Sequence, residues 1–107
     1  MSKGYTYIWE YRVAPESRTK FERQYGKDGG WVRLFRRAEG YIETIFLIDQ
    51  ADPGRYVTID RWRNEDDYMA FHAAFSEDYV RLDSECEHLT VDEIFLGAFD
   101  EHANAPN

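Results

Sequence analysis

The chain begins with an alternation of apolar and polar residues that is typical of a half-buried β-strand. Every second residue here is aromatic or β-branched, namely Tyr5, Tyr7, Trp9, Tyr11 and Val13. Pro15 then suits the first turn of a helix, because its missing N–H would have no partner there. Phe21 and Tyr25 lie one helical turn apart, which predicts a helix over residues 16–25.

A pair of glycines at residues 29 and 30 interrupts the helical pattern, and helical spacing resumes after it. Leu34 and Phe35 follow Trp31 at three and four residues. This spacing predicts a second helical piece that ends near Gly40.

The middle of the chain has the pattern of a hairpin followed by a long amphipathic helix. Strands over residues 41–49 and 55–62 are joined by a Pro-Gly turn at residues 53–54. Asn64 is placed to cap the next helix, whose first turn is acidic. Apolar residues then recur at gaps of three and four and predict one helical stripe, formed by Tyr68, Phe71, Phe75, Tyr79, Leu82, Cys86 and Leu89. Ser76 is a second candidate cap, so the sequence leaves open whether the helix restarts there.

A fourth strand over residues 90–99 completes the order β-α-β-β-α-β. This is the order of a ferredoxin-like α+β fold, an antiparallel sheet with helices on one face. We expect a single domain over residues 1–99 and a flexible C-terminal tail over residues 100–107, which has no apolar anchor.

Both faces of the predicted strands carry apolar residues. One set of positions holds Ile8, Phe46, Ile48, Val57 and Ile59. The other set holds Trp9, Tyr11, Ile45, Leu47, Tyr56 and Trp62. One layer of helices covers only one face, so the second face predicts a homodimer that packs sheet against sheet. The pattern leaves open which face forms the dimer.

Charge and composition narrow the classes of partner. The 107 residues include 13 Lys and Arg against 21 Asp and Glu, a formal net charge of −8, which disfavours nucleic acid and anionic membranes. The single cysteine, Cys86, allows no internal disulfide, and the three histidines lack the spacing of a metal site. The sequence shows neither a secretory signal nor a membrane-spanning apolar stretch. These features predict a cytoplasmic protein.

Three stretches carry a family resemblance: the opening YIWEYRVAPE, the turn DPGRY and the run IDRWRNEDDYMAFHAAFSEDY. Over residues 5–99 the chain resembles the antibiotic biosynthesis monooxygenase (ABM) domain, a branch of the dimeric α+β barrel superfamily. The resemblance implies a homodimeric barrel. It also implies a cofactor-independent monooxygenase, which needs neither metal nor flavin because a small aromatic or quinol-type substrate supplies the electrons for O2.

Candidate site residues lie between the predicted helices and the sheet. His72 is the candidate acid–base group, because an imidazole titrates near neutrality. Trp62 is the candidate pocket wall or electron-rich neighbour. The candidate substrate-binding residues are aromatic, namely Tyr11, Tyr25, Trp31, Phe35, Tyr68 and Phe71. Simple packing roles for His72 and Trp62 stay open.

Two other functions are compatible with the same scaffold. One is a non-catalytic dimeric protein that binds a small hydrophobic ligand. The other is an isomerase or lyase that moves a proton with His72 and either Asp60 or Glu10. A basic cluster, Arg33, Arg36 and Arg37, is either a rim for a carboxylated or phenolate ligand or a solvated helix face.

Overall fold

A computed structural model describes residues 3–102 of the chain. Within this range four strands and four α-helices follow one another, with short 3₁₀ turns at Pro15–Ser17 and Glu87–Leu89. The strands are β1 (Gly4–Arg12), β2 (Tyr41–Ile48), β3 (Arg55–Trp62) and β4 (Asp92–Glu101). The helices are α1 (Arg18–Tyr25), α2 (Gly30–Phe35), α3 (Glu65–Ala74) and α4 (Ser76–Cys86).

The strands form one antiparallel sheet in the order β2-β3-β1-β4. The helices pack on one side of it, and this confirms the predicted ferredoxin-like α+β fold. We call that side the covered face; in the two central strands it carries Tyr5, Tyr7, Trp9 and Tyr11 and, opposite them, Tyr56, Thr58, Asp60 and Trp62. We call the other side the open face; it carries Thr6, Ile8, Glu10, Arg55, Val57, Ile59 and Arg61.

The long helical stripe is divided into two helices at Phe75. Asn64 caps α3 as predicted, because its side-chain oxygen accepts a hydrogen bond from the Asp67 N–H at 2.8 Å. Phe75 has φ −118° and ψ 23°, and α4 begins at the next residue without a side-chain cap. The backbone turn at Phe75 therefore restarts the helix, and Ser76 is its first residue and not its cap.

Two predicted helix bounds change. The first helix begins as a 3₁₀ turn at Pro15 and becomes α-helical only at Arg18. The second ends at Phe35 and does not continue to Gly40. The residues between form turns, because the N–H groups of Arg37 and Ala38 bond carbonyls three residues back and Gly40 has a φ of 94°.

β4 begins at Asp92 and extends to Glu101, two residues past the predicted domain end at residue 99. Glu101 lies opposite Gly4 of β1, and its carboxylate accepts hydrogen bonds from Arg61 at 2.8 and 3.0 Å. These contacts hold the end of the strand against the sheet. Residues 103–107 of the predicted tail lie outside the described residues.

The strand register corrects the predicted sorting of β2 residues. Residues directly opposite in an antiparallel pair share a face, and Ile45 lies opposite Ile59 while Phe46 lies opposite Thr58. Both alternating sets in β2 are apolar, so the hydrophobic pattern could not assign its faces. In the structure Ile45 and Leu47 lie on the open face, and Phe46 and Ile48 lie on the covered face. This is the reverse of the predicted grouping with the residues of β1 and β3.

Candidate active site

A cavity of about 290 Å³ lies between the covered face and the helices. This is near the lower end of the usual range for small-molecule sites, about 300–1,000 Å³. Its walls are mainly aromatic, with Tyr7, Trp9 and Tyr11 from β1 and Tyr25, Trp31, Phe35 and Tyr79 from the helices. The size and the lining suit a flat ligand of one or two rings.

One carboxyl group, that of Asp60, lies deep in this cavity. Asp60 is only 5% exposed, and burial raises the pKa of its carboxyl to about 7. The Thr44 hydroxyl donates a hydrogen bond to Asp60 Oδ1, which opposes part of the rise in pKa. A carboxyl that titrates near pH 7 can both accept and return a proton at neutral pH.

The alternation of β3 places this carboxyl in the interior. Every second residue of the strand is buried and the residues between are half-buried, since successive side chains point to opposite faces. Thr58 and Asp60 are therefore buried together with their aromatic neighbours. A carboxyl in such a place is costly to ionise, and groups of this kind concentrate at functional sites.

A chain of hydrogen bonds connects Asp60 with the neighbouring strand β2. Thr44 Oγ1 lies 2.7 Å from Tyr41 Oη. Because Thr44 donates its only hydroxyl proton to Asp60, Tyr41 is the donor to Thr44. Tyr41 is half-buried, so the chain links the buried carboxyl to a side chain that reaches solvent.

Two buried polar atoms in the cavity wall, Trp31 Nε1 and Thr58 Oγ1, make no hydrogen bond of standard geometry among the described residues. They lie near the hydroxyls of Tyr25 and Tyr11, where each opposes part of the rise in the pKa of that phenol. Trp31 is 8% exposed and Thr58 is 3% exposed. Leaving a buried polar group unpaired costs about 1–3 kcal/mol, so most such groups are paired. Both atoms are available to donate a hydrogen bond to a ligand.

The cavity also carries acidic side chains that are open to solvent. Asp83 of α4 and Glu93 of β4 line it and are exposed, and we call these two residues the acidic rim. The pKa of Glu93 is raised, first by burial and then by the negative charge of Asp83. In the described part of the chain, no Arg, Lys or His lines the cavity.

The two candidate catalytic residues from the sequence, Trp62 and His72, lie behind the cavity wall. Trp62 is fully buried, and its Nε1 donates to the hydroxyl of the wall residue Tyr7 at 3.4 Å. His72 Nε2 lies 2.7 Å from Tyr68 Oη, and burial lowers the pKa of its imidazole. Both residues support the wall from outside.

The candidate substrate-binding residues divide in the same way. Tyr11, Tyr25, Trp31 and Phe35 line the cavity. Tyr68 and Phe71 pack against Trp62 in the layer behind it, at ring-centroid distances of 5.5 and 5.2 Å.

Several lining residues were not predicted from the sequence, and Asp60 was predicted only as a possible partner of His72. The missed residues are Tyr7, Trp9, Val32, Thr44, Thr58, Tyr79, Asp83 and Glu93. One signal was present in the sequence. Thr58 and Asp60 are polar residues in the alternating set of β3 that also contains Tyr56 and Trp62, and polar residues in a buried set indicate a site.

The basic cluster lies outside the cavity. Arg36 pairs with Asp28 at 3.4 Å, and Arg37 pairs with Asp78 at 3.3 Å. Arg33 lines a separate groove between α1, α2 and the end of α4. The cluster therefore does not form a rim for a ligand of this cavity.

Residues 3–102 lack two further features. Within this range, no group of three or more His, Cys, Asp or Glu side chains is arranged to hold a metal ion. None of the helices in it combines the length and apolar character that crossing a membrane requires.

Solved structures of other proteins share this fold. PA3566 from Pseudomonas aeruginosa has a TM-score of 0.73 and 20% identity, with 96% of this chain and 98% of that chain covered. SnoaB, a cofactor-independent oxygenase from Streptomyces nogalater, has a TM-score of 0.70 and 18% identity, with 99% and 100% covered. Rv0793 from Mycobacterium tuberculosis has a TM-score of 0.67 and 16% identity, with 94% and 99% covered. At these identities the likeness shows the fold.

Sequence comparisons give the family. A search of curated proteins finds no match. The profile of the family described as antibiotic biosynthesis monooxygenase matches residues 4–79, which include β1 to β3 and most of the cavity-lining residues. The chain therefore belongs to the antibiotic biosynthesis monooxygenase family.

Proposed function

We propose that this chain is a cofactor-independent monooxygenase that oxidises a small phenolic or quinol-type compound in the aromatic cavity. The observation that carries the proposal is the buried carboxyl of Asp60, which shares the cavity with two unpartnered donors, Thr58 Oγ1 and Trp31 Nε1. Family membership supports the reaction class, and the cavity supports the class of substrate.

Asp60 is the proposed general base, in place of His72, because it lies in the cavity and His72 does not. An ordinary carboxylate is a weak base for a phenol, whose pKa is about 10; the transfer costs about 8 kcal/mol. With the pKa of Asp60 at about 7, the same transfer costs about 4 kcal/mol. Hydrogen bonds from Thr58 and Trp31 to the phenolate oxygen would lower this cost further.

The substrate itself reduces O2 in the proposed reaction. The phenolate transfers two electrons to O2 as a C–O bond forms at the ring carbon para to its oxygen, and protonated Asp60 returns a proton to the distal peroxide oxygen. The hydrogen on that ring carbon then leaves as a proton, the O–O bond breaks, and the leaving oxygen becomes water. One phenol and one O2 thus give one quinone and one water, and no external reductant is consumed.

The Tyr41–Thr44–Asp60 chain supports proton exchange with solvent between turnovers. Its two hydrogen bonds connect the carboxyl with a half-buried phenol at the neighbouring strand. Because Asp60 returns its proton within the reaction, the chain is not required in each turnover. Between turnovers it lets the carboxyl equilibrate with solvent, which supplies the ionised form that accepts the next phenol proton.

We also propose that two copies of the chain pair through their open faces. Four apolar side chains there are between 37% and 50% exposed: Ile45, Leu47, Ile94 and Phe99. Ion pairs lie on either side of these side chains. Arg55 pairs with Glu10 at 2.8 Å, and Arg61 pairs with Glu101 at 2.8 Å. An apolar centre with a polar surround is the usual anatomy of a stable interface.

The predicted cytoplasmic location stays a prediction, which cell fractionation tests.

Oxygen consumption tests the proposed activity. Purified protein, without added metal or flavin, is given a panel of phenols, anthrols and catechols that carry hydrogen on the carbon para to a hydroxyl, and O2 uptake is compared with quinone formation. We expect uptake above the uncatalysed rate, with one O2 consumed per quinone. Asp60→Asn should lower the rate by about 100-fold or more, since general base catalysis contributes about that much.

Two other variants serve as controls. Asp100→Asn changes an aspartate on β4 that is exposed and outside the cavity lining, so the rate should stay near that of the wild type. His72→Ala should lower the rate less than Asp60→Asn. A full rate in Asp60→Asn would overturn the role of Asp60. Substrate conversion without O2 uptake would favour an isomerase or lyase, and stabilisation by a ligand without conversion would favour a binding protein.

A further inference from the structure

The lining of the cavity has an unbalanced charge. Three carboxyl groups line it, those of Asp60, Asp83 and Glu93, and within the described residues no basic side chain does. The arginines of the sheet lie on the open face, where Arg55 and Arg61 are paired with carboxylates. The cavity therefore holds negative charge that neighbouring side chains leave uncompensated.

The charges of all three carboxyl groups raise the pKa of the same wall residue, Tyr79. The pKa of the Tyr79 phenol is raised, first by burial and then by the charges of Asp83, Asp60 and Glu93. The Tyr79 ring lies 5.1 Å from the ring of Trp31, which also lines the cavity. Aromatic faces attract cations, and do so more strongly where water is excluded.

The charges are separated along the sheet. Asp60 lies opposite Tyr7, and Glu93 lies opposite Tyr11, four residues further along β1. At about 3.3 Å per residue this is a separation of about 13 Å along the strand. A ligand therefore meets a single buried carboxyl at one end of the cavity and the acidic rim at the other.

We infer that the cavity selects aromatic ligands that carry an ammonium group, with the phenol at Asp60 and the ammonium at the acidic rim. The inference rests on the proposed function, because it names the substrate class of the same site. The buried Trp31 Nε1 and Thr58 Oγ1, which make no hydrogen bond of standard geometry among the described residues, independently support ligand binding in this cavity.

The proposed reaction gives the ammonium a second role. Proton transfer to Asp60 leaves an anion on the substrate, in a cavity whose rim is already negative. A positive group on the substrate offsets the repulsion between that anion and the rim. A carboxylated substrate would add a further negative charge, and no cation lines the cavity to receive it.

Binding of three matched phenols tests the inference. Tyramine, tyrosol and 3-(4-hydroxyphenyl)propionate share a phenol and a two-carbon chain, and end in an ammonium, a hydroxyl and a carboxylate. Affinities are measured by calorimetry at low salt, because the rim is exposed and salt screens its charge. We expect tyramine to bind at least about tenfold more tightly than the propionate, with tyrosol between them.

Charge-matched variants test whether the acidic rim causes the preference for tyramine. Asp83→Asn/Glu93→Gln removes the acidic rim and should reduce the tyramine preference to less than about threefold. Glu77→Gln/Glu85→Gln removes the same charge from exposed positions of α4 outside the cavity lining and should preserve the preference.

The outcomes separate this inference from the proposed function. Equal binding of the three phenols, tighter binding of the propionate, or no binding of tyramine would overturn the inference. A preference that survives in Asp83→Asn/Glu93→Gln would overturn the role of the rim. None of these results changes the O2 uptake of uncharged anthrols, which tests the proposed function separately.

Discussion

The two faces of the sheet differ in how their buried and half-buried polar groups are paired. On the open face Glu101 accepts hydrogen bonds from Arg61 and Thr6, which lower the pKa of its carboxyl to about 2. On the covered face burial raises the pKa of Asp60 to about 7. The open face pairs its charges, whereas the covered face keeps a carboxyl that is easily protonated.

Two threonines repeat this contrast. Thr6 is buried on the open face and its hydroxyl donates to Glu101. Thr58 is buried on the covered face, and its hydroxyl lies near that of Tyr11 without forming a hydrogen bond of standard geometry among the described residues. Satisfied polar groups around an apolar centre suit assembly, while unsatisfied ones in a cavity suit ligand binding. The difference supports the two proposals, chemistry at the covered face and association through the open face.

The largest expected effect comes from removing the buried carboxyl. Between about pH 4 and pH 7 the folded chain keeps a proton on Asp60 that the unfolded chain releases, so the free energy of unfolding falls as pH rises through this window. Asp60→Asn removes this loss. The variant should exceed the wild type at pH 8 by up to about 4 kcal/mol, and the difference should vanish near pH 4.

Urea unfolding at a fixed protein concentration measures this difference. Asp100→Asn is the control, since its aspartate is exposed, and its unfolding curve should follow that of the wild type at each pH. Parallel pH profiles for Asp60→Asn and the wild type would show that the buried carboxyl carries no ionisation cost.

Charges on the open face should separate the proposed dimer. Leu47→Glu/Ile94→Glu places two carboxylates per copy among the exposed apolar side chains of the open face, where pairing of two copies would bury them. We expect the dimer dissociation constant to rise at least about 100-fold, or about 2.7 kcal/mol. Sedimentation velocity across a concentration series measures it.

Met69→Glu/Val80→Glu is the matched control, because both residues are exposed apolar side chains on α3 and α4. It should sediment as the wild type does. A wild-type chain that is monomeric at micromolar concentration would remove the assembly role from the open face.

The smallest expected effect is a difference in stability between variants of the two threonines. Thr6→Val breaks a hydrogen bond to a charged carboxylate and should destabilise the fold by about 1–2 kcal/mol. Thr58→Val removes an unpaired hydroxyl and keeps the side-chain shape, so stability should be unchanged or higher by up to about 1 kcal/mol. Equal losses in the two variants, measured by urea unfolding, would contradict the contrast between the faces.

The sequence predicted the architecture because its signals were local. Alternation over β1, the Pro-Gly turn between β2 and β3 and the Asn64 cap each depend on neighbouring residues. The faces of β2 could not be predicted, since both of its alternating sets are apolar and only pairing with β3 distinguishes Ile45 from Phe46.

The candidate site was harder to predict for a related reason. Residue type alone favoured His72, which titrates near neutrality in water. In the folded chain Asp60 is the better candidate for the base. Burial raises the pKa of Asp60 to about 7 and lowers the pKa of His72. The acidic rim is also a tertiary feature, since Asp83 and Glu93 come from a helix and a strand that only the fold brings together.

Titration of the Asp60 carboxyl tests the central claim most directly. The side-chain carboxyl ¹³C resonance of Asp60, identified by its absence in Asp60→Asn, is followed by NMR from pH 3 to pH 9 in the ligand-free protein. The account predicts a midpoint near pH 7 for Asp60. A midpoint near pH 4, the ordinary value for aspartate, would contradict the assignment of Asp60 as the base and of the covered face as the site of chemistry.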